Sequence, residues 1–304
     1  MSLSKCLLRV SLVSLAVQAA HGEAHCPGSV ASLPLRIVQS SLIVAAIEIN
    51  HSGPYDFLVD TGAQVMTIEP SLASELGIKI RGTTGVGGVA TYKRAAYTYV
   101  DLIKAGDHSV SNAVAVIQEM TQLKTVDSRI RGILGANFLA HFDLLIDNRQ
   151  RVLCLDTSGA LQAAVRGEQI ALVEPQESSK DMPFTRPLLV SAQLSGGRTQ
   201  VLLRLDSGSN TPLLYAPKPR DSDESINPAP LLKRVINGAE QSFAVQPPQD
   251  IHIGKRSVRQ VSFVRPLNAI GEGPTPREDG LMPTMAFQRV FISYAGRYAK
   301  LDNW

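Results

Sequence analysis

The sequence has little of what marks several common classes of protein. Its formal net charge is only +3, from 30 basic and 27 acidic residues, which excludes a strongly basic surface for nucleic acid. Its six histidines have no His-Glu-x-x-His spacing, the usual sign of a zinc hydrolase. The stretch at residues 206–209 reads Asp-Ser-Gly-Ser and is not the Gly-x-Ser-x-Gly elbow of serine hydrolases. We therefore expect no nucleic-acid partner, no metal ligands and no serine nucleophile.

Long apolar runs are also missing after the first 22 residues, so no later segment is expected to span a membrane. Residues 1–22 start with two basic residues, Lys5 and Arg9, continue with a mostly apolar stretch over 7–20, and end in small residues. This order predicts a secretory signal peptide cut after Gly22, the alternative being a buried N-terminal helix. The mature protein should then be secreted or periplasmic, with no membrane association once the signal is removed.

Cysteine is scarce, with three in the chain, and Cys6 would leave with the signal peptide. Cys26 and Cys154 remain, an even number that suits an oxidising compartment. Two alternatives stay open, a disulfide or two free thiols, because the sequence does not give the distance between them. Residues 23–33 are expected to form a poorly ordered leader.

What the sequence does contain is a pattern that occurs twice. An apolar stretch at residues 57–59 runs into Asp-Thr-Gly at 60–62, and a second apolar stretch leads into Asp-Ser-Gly at 206–208. Each copy is followed at nearly the same offset by an apolar companion, Gly-Ile-Leu-Gly at 132–135 and Gly-Leu-Met-Pro at 280–283. A single Asp-Thr-Gly occurs in many ordinary turns. Four motifs in the same order instead predict an internal duplication with about one domain per copy.

These four motifs resemble those of aspartic peptidases of the retropepsin-like and pepsin-like superfamily. The resemblance implies an all-β fold with short helices, made of two acid-protease lobes related by a pseudo-twofold axis with the active site between them. We place the N-terminal lobe at residues 34–173, a proline-containing polar linker at 174–187 and the C-terminal lobe at 188–304. The pattern is that of a single chain built from two retropepsin-like halves.

In this family each Asp-Thr/Ser-Gly loop supplies one catalytic aspartate, which here implies Asp60 and Asp206. Two facing carboxyl groups cannot both be ionised at low cost, so they share one proton. The ionised member takes a proton from a water that attacks the peptide carbonyl, and the other member donates to the carbonyl oxygen. Because the pKa values belong to the pair, the sequence assigns neither role to one residue.

The resemblance also implies dyad-supporting roles for the next two residues of each loop. Thr61 and Ser207 match the family's hydroxyl positions, which hydrogen-bond across the two loops and hold the dyad. Gly62 and Gly208 are expected to keep side chains away from the water.

The second copy differs from the first at three positions that bear on the dyad. Pro283 replaces the final glycine of the companion motif and removes a backbone donor. Ser209 stands where the first copy has Ala63, and its hydroxyl is expected to donate to Asp206 and lower the pKa of that carboxyl group. Arg204 lies on the same side of its strand as Asp206, and is either a surface residue or a charge near the dyad.

A glycine-rich stretch at residues 82–88 follows the first aspartate, without the Lys-Ser/Thr of a phosphate-binding loop. In retropepsin-like halves a glycine-rich hairpin at this distance folds over the substrate as a flap, which assigns substrate binding to Gly85, Gly87 and Gly88. The alternative is a plain surface hairpin. In the second half only Asn-Gly at 237–238 marks a candidate flap, and this signal is weak.

The resemblance predicts an aspartic endopeptidase that acts on peptide or protein substrates as a monomer, with no cofactor and no metal. Both acids are present in matched loops, which favours an enzyme. The alternative is a non-catalytic peptide-binding module that has kept the fold and lost turnover.

Overall fold

The computed structural model describes seven stretches of the chain. Two predicted segments lie outside these stretches, namely the signal peptide over 1–22 and the linker over 174–187 except for its two end residues. The described residues are 25–88, 91–174, 187–195, 200–215, 230–236, 239–267 and 278–303.

The fold is all-β, as the sequence predicted. Strands up to residue 174 are β1 (Ser32–Leu33), β2 (Leu35–Val38), β3 (Leu42–Ile49), β4 (Ser52–Val59), β5 (Met66–Ile68), β6 (Gly82–Gly88), β7 (Thr91–Ala105), β8 (His108–Ile117), β9 (Ile130–Leu134), β10 (Asp143–Asp147), β11 (Val152–Asp156) and β12 (Ile170–Ala171). Later strands are β13 (Leu189–Leu194), β14 (Gln200–Asp206), β15 (Leu213–Leu214), β16 (Leu231–Ile236), β17 (Ala239–Val245), β18 (Gln249–Ile253), β19 (Arg256–Val261), β20 (Val264–Pro266), β21 (Gly280–Pro283), β22 (Arg289–Ser293) and β23 (Tyr298–Asp302).

The helices are short. Pro70 opens the helix over Pro70–Glu75, and Gly77 takes a left-handed conformation just after its end, with φ +62°, as is typical of helix starts and ends. No helix in the described stretches is long and apolar enough to cross a membrane. The helices are α1 (Pro70–Glu75), α2 (Thr121–Val126), α3 (Ala136–Leu139), α4 (Ala160–Ala164) and two 3-10 turns at Pro27–Ser29 and Thr284–Ala286.

The two large sheets repeat one strand order over seven strands and differ at one edge. The eight-stranded sheet runs β2-β3-β4-β9-β5-β8-β7-β6, and the nine-stranded sheet runs β16-β17-β20-β15-β21-β14-β13-β18-β19. In the first sheet, β9 lies parallel to β4 and antiparallel to β5. In the second, β21 has the same relation to β14 and β15. Each companion motif therefore passes between the strand that leads to its aspartate and the strand that follows it.

A third sheet joins the two halves of the chain. Its six strands run β1-β11-β10-β22-β23-β12, so that the hairpin β10–β11 from the first half pairs with β22–β23 from the second. The central pair is antiparallel, with Asp143 opposite Ser293 and Asp147 opposite Arg289. Residues of this sheet share one apolar core with both larger sheets, including Val59, Leu205 and Ile292. The halves are thus held together by backbone pairing and by continuous packing.

Each large sheet ends in a hairpin at one edge. In the first it is β6–β7, where Gly88 pairs with Thr91. In the second it is β16–β17, where Ile236 pairs with Ala239, and the weakly predicted Asn-Gly at 237–238 lies outside the described residues. The turn residues of both hairpins lie outside the described stretches.

The expectation of a poorly ordered leader over 23–33 is wrong for its described part, residues 25–33. Cys26 forms a disulfide with Cys154, whose side chain is fully buried in β11. Beyond it, β1 pairs with β11, with Ser32 opposite Cys154 and Leu33 opposite Leu153. This strand was not predicted, because two residues are too few to show a periodic pattern.

The disulfide should contribute strongly to stability. Cys26→Ala removes a cross-link over 128 residues of chain, and a native disulfide in such a position is worth roughly 2–5 kcal/mol. We expect a lower melting temperature in calorimetry, and the oxidised parent should fall to the same value after reduction. A reduced parent that melts like the oxidised one would contradict a structural role for the bond.

Candidate active site

Asp60 and Asp206 stand at equivalent places in the two large sheets. Asp60 directly follows β4, Asp206 ends β14, and the apolar residues before each are buried in the shared core. The two carboxyl groups are joined by a hydrogen bond. Asp206 is buried and Asp60 is half-buried. The structure therefore brings together the two acids that the sequence singled out.

The glycines after these acids are required by the close approach of the two loops. A Cβ added to Gly62 would lie 2.6 Å from Cγ of Asp206, and one added to Gly208 would lie 2.4 Å from Cγ of Asp60. Each glycine therefore packs against the carboxyl group of the opposite loop. Any side chain at either position would displace a carboxyl group, which is a more direct constraint than the expected need to leave room for water.

Thr61 and Ser207 form a reciprocal network of four hydrogen bonds between the loops. The backbone N–H of each residue donates to the side-chain oxygen of the other, and both distances are 3.0 Å. The Thr61 hydroxyl donates to the carbonyl of Leu205 at 2.9 Å, and the Ser207 hydroxyl donates to that of Val59 at 2.8 Å. Both residues are 1% exposed, so water does not compete for these bonds. The network is the cross-loop contact expected for both hydroxyls.

The two carboxyl groups have different donors. Oδ1 of Asp60 accepts from the backbone N–H groups of Gly62 and Ala63, at 2.8 and 3.0 Å, whereas Oδ1 of Asp206 accepts from Gly208 at 2.8 Å. Burial raises the pKa of Asp60, opposed by these donors. Burial raises the pKa of Asp206 well above its ordinary value, and the neighbouring charge of Asp60 raises it further. This asymmetry favours an ionised Asp60 beside a protonated Asp206.

The expected hydrogen bond from Ser209 to Asp206 is not formed. The Ser209 hydroxyl instead donates to the backbone carbonyl of Thr211 at 3.0 Å, in a local turn. The difference between the two loops comes from the backbone, because Ala63 supplies its N–H to Asp60. This backbone donor was not predicted, because the residue types at 63 and 209 indicate only the side-chain donors.

The two companion motifs end in the same way despite the change from glycine to proline. Gly135 precedes α3, and Pro283 precedes the 3-10 turn Thr284–Ala286. An added Cβ at Gly135 would lie 2.7 Å from the carbonyl carbon of Val65, so the first half requires glycine there. Pro283 ends β21 opposite Asp206, where the strand gives way to the turn. The proline thus closes the motif without interrupting the strand.

Arg204 is a charge near the dyad, the second of the two alternatives that the sequence left open. Its Nη1 donates to the carbonyl oxygen of Gly62 at 2.6 Å, across the interface between the loops. Its Nη2 pairs with Oε1 of Glu278 at 2.5 Å, and the side chain of Glu278 is 5% exposed. Glu278 was not predicted as a site residue, since nothing in the local pattern of residue types indicates that it pairs with Arg204.

The three predicted flap residues lie in β6. Gly85, Gly87 and Gly88 pair with residues 91–94 of β7, and a Cβ added to Gly85 would lie 2.0 Å from the hydroxyl of Tyr92. Tyr92 is 44% exposed, which gives the hairpin an aromatic side chain in contact with solvent. A substrate-binding role for these glycines stays a prediction.

Comparisons with known proteins give one family match, which includes the first aspartate. The family model for aspartyl proteases matches residues 45–138, which contain Asp60 and the first companion motif. No curated protein matches the chain. A solved structure of a retropepsin-like aspartic protease from Rickettsia conorii is similar at 18% identity over 41% of this chain and 93% of that chain, with a TM-score of 0.29. The family match over residues 45–138 supports an aspartic protease function in general.

The reciprocal network should stabilise the protein measurably. Thr61→Val keeps the side-chain shape but leaves the buried Leu205 carbonyl and Ser207 N–H without partners, which costs about 1–3 kcal/mol. We expect urea unfolding to show a loss of that size.

Thr83→Val is the matched control, because the Thr83 hydroxyl is exposed on β6 and bonds only Arg94 among the contacts described. Its unfolding free energy should stay within about 0.5 kcal/mol of the parent. Equal stabilities for the two variants would show that the network does not hold the loops together.

Proposed function

We propose that the protein is an aspartic endopeptidase that hydrolyses peptide bonds with a water activated by Asp60 and Asp206. The observation that carries the proposal is the hydrogen-bonded pair of carboxyl groups from two loops that support each other reciprocally. Two carboxyl groups with different pKa values can act as base and acid in one step. The match to the aspartyl protease family supports the same reaction.

The geometry suits a cycle in which protons return to their starting places. Ionised Asp60 takes a proton from water, the water oxygen attacks the carbonyl carbon of the peptide, and Asp206 gives its proton to the carbonyl oxygen. The tetrahedral diol then collapses as Asp60 protonates the departing nitrogen and Asp206 takes back a hydroxyl proton. The C–N bond breaks, one water is consumed, and the pair again holds one proton.

The proposal extends to the partners of the reaction. The substrate is a peptide or an unfolded protein, bound under the hairpin that carries Gly85, Gly87 and Gly88, and the two lobes over 34–173 and 188–304 act as a monomer. Water is the only co-reactant in the cycle. The exposed Tyr92 beside Gly85 supports this role for the hairpin, because an aromatic side chain offers an extended peptide a large apolar contact.

Replacement of either acid should abolish activity. Asp60→Asn and Asp206→Asn each remove one member of the acid–base pair, so cleavage of an unfolded protein should fall by a factor of at least about 1,000. Pepstatin should inhibit the parent. Asp101→Asn, at an exposed position of β7, is the control and should cleave like the parent.

The same assay distinguishes the peptidase from the alternative, a non-catalytic peptide-binding module. A parent that binds peptides but cleaves none would indicate a non-catalytic binding module. Near-parental turnover by either Asp60→Asn or Asp206→Asn would disprove the assignment of the dyad.

We further propose that the protein is secreted or periplasmic and that its signal peptide is removed after Gly22. The Cys26–Cys154 disulfide supports this proposal, because such bonds persist in oxidising compartments. N-terminal sequencing of the protein purified from its native source should begin at Glu23. A sequence that starts at Met1 would contradict export.

A further inference from the structure

Arg204 and Glu278 break the likeness of the two halves at one place. The two halves have the same strand register, since Phe57 pairs with Gly132 in the first and Leu203 pairs with Gly280 in the second. Counting from these pairs, Arg204 and Glu278 correspond to Leu58 and Ile130. Leu58 and Ile130 are both buried and lie in one small apolar cluster. An ion pair between the half-buried Arg204 and the buried Glu278 in the second half thus takes the place of a buried apolar pair in the first.

This ion pair is connected to the dyad through one peptide unit. Arg204 donates to the carbonyl of Gly62, and the N–H of the same peptide belongs to Ala63, which donates to Oδ1 of Asp60. A cation at the carbonyl end polarises the peptide and strengthens the hydrogen bond at its N–H end. The guanidinium also lowers the pKa of Asp60 and of Asp206 by direct attraction. Both effects stabilise the ionised form of the pair.

We propose that Arg204, held by Glu278, is a positioning residue that fixes the first loop and makes Asp60 the ionised member of the dyad. Its catalytic consequence rests on the proposed function, whereas its effect on the ionisation of the two aspartates does not. Glu278 has two roles, since it orients the guanidinium and partly neutralises its charge. The pair therefore sets both the geometry and the working pH of the site.

The other ionisable groups around the dyad do not compete for this role. Tyr215 follows β15 and Tyr294 follows β22. Burial raises the pKa of both hydroxyls, aided by the charge of Glu278 at Tyr215 and of Asp60 at Tyr294. Both tyrosines stay neutral in the range where carboxyl groups titrate. Among the described residues, the charges that remain near the dyad are those of Arg204 and its partner Glu278.

The first test transplants the apolar pair of the first half. The double variant R204L/E278I copies Leu58 and Ile130, and replacing a buried ion pair by apolar residues often leaves stability unchanged or improved. Loss of the cation should raise both pKa values of the dyad, so the bell-shaped profile of kcat/KM should move to higher pH by about 0.5–1 unit. Carbon-13 NMR of the aspartate Cγ atoms, assigned with Asp60→Asn and Asp206→Asn, should report the same shift without any substrate.

The second test moves the profile in the opposite direction. Glu278→Gln keeps a hydrogen-bond acceptor for Arg204 but removes the negative charge, so the guanidinium acts on the dyad unneutralised. Both pKa values should then fall by about 0.5 unit, and the activity profile should move to lower pH. Because this variant keeps the arginine, it remains informative if the double variant does not fold.

Arg289→Gln is the control for the loss of an ion pair elsewhere. Arg289 pairs with Asp302 in the six-stranded sheet, so its loss should lower the melting temperature without moving either titration. If R204L/E278I and E278Q titrate like the parent, or shift in the same direction, the proposal is overturned. If the parent cleaves no peptide, the proposed function fails, and the NMR titration still decides the role of Arg204.

Discussion

The structure depends on bringing two carboxyl groups into hydrogen-bond contact within a largely buried site. Two aspartates can share one proton there only if their loops approach so closely that Gly62 and Gly208 each face the opposite carboxyl group. Such an approach leaves backbone polar groups without water. The hydroxyls of Thr61 and Ser207 satisfy these groups across the interface. Each hydroxyl donates one hydrogen bond to a backbone carbonyl and accepts one from a backbone N–H. The repeated sequence motif, the close approach of the loops and the pairing of the carboxyl groups therefore depend on the same three consecutive residues in each half.

The contacts between the two loops are not enough to hold the two halves of the chain in position. The six-stranded sheet pairs β10 with β22, and the apolar core runs from the first large sheet through this sheet to the second. Movement of one half against the other would break backbone hydrogen bonds and open the core at once. The six-stranded sheet and the shared core also explain how residues far apart in the chain keep a short contact, such as the hydrogen bond of 2.8 Å from the Ser207 hydroxyl to the Val59 carbonyl oxygen.

Much of this arrangement could be predicted from the sequence, because the strands before Asp60 and Asp206 are apolar runs that end in an acid. The hydroxyl and glycine positions followed from the repeat, and their roles from the resemblance to aspartic peptidases. Three features could not be predicted, namely the orientation of the Ser209 hydroxyl, the donor N–H of Ala63 and the partner of Arg204. Each depends on backbone direction or on a contact distant in sequence, which residue types do not encode locally. The leader was mispredicted for the same reason, since its order comes from Cys154 and β11.

A single chain can make its two halves unequal, whereas identical subunits around a twofold axis must present the same groups to the site. Arg204 and Glu278 are such a difference, because the ion pair occurs in the second half and its place in the first is apolar. A buried ion pair gives little net stability over an apolar pair such as Leu58 and Ile130, because the desolvation of both charges offsets their attraction. Stability therefore does not explain why charges occupy this place in only one half. The field of the guanidinium does, because it reaches Asp60 through the Gly62–Ala63 peptide and adds to the preference for an ionised Asp60 beside a protonated Asp206.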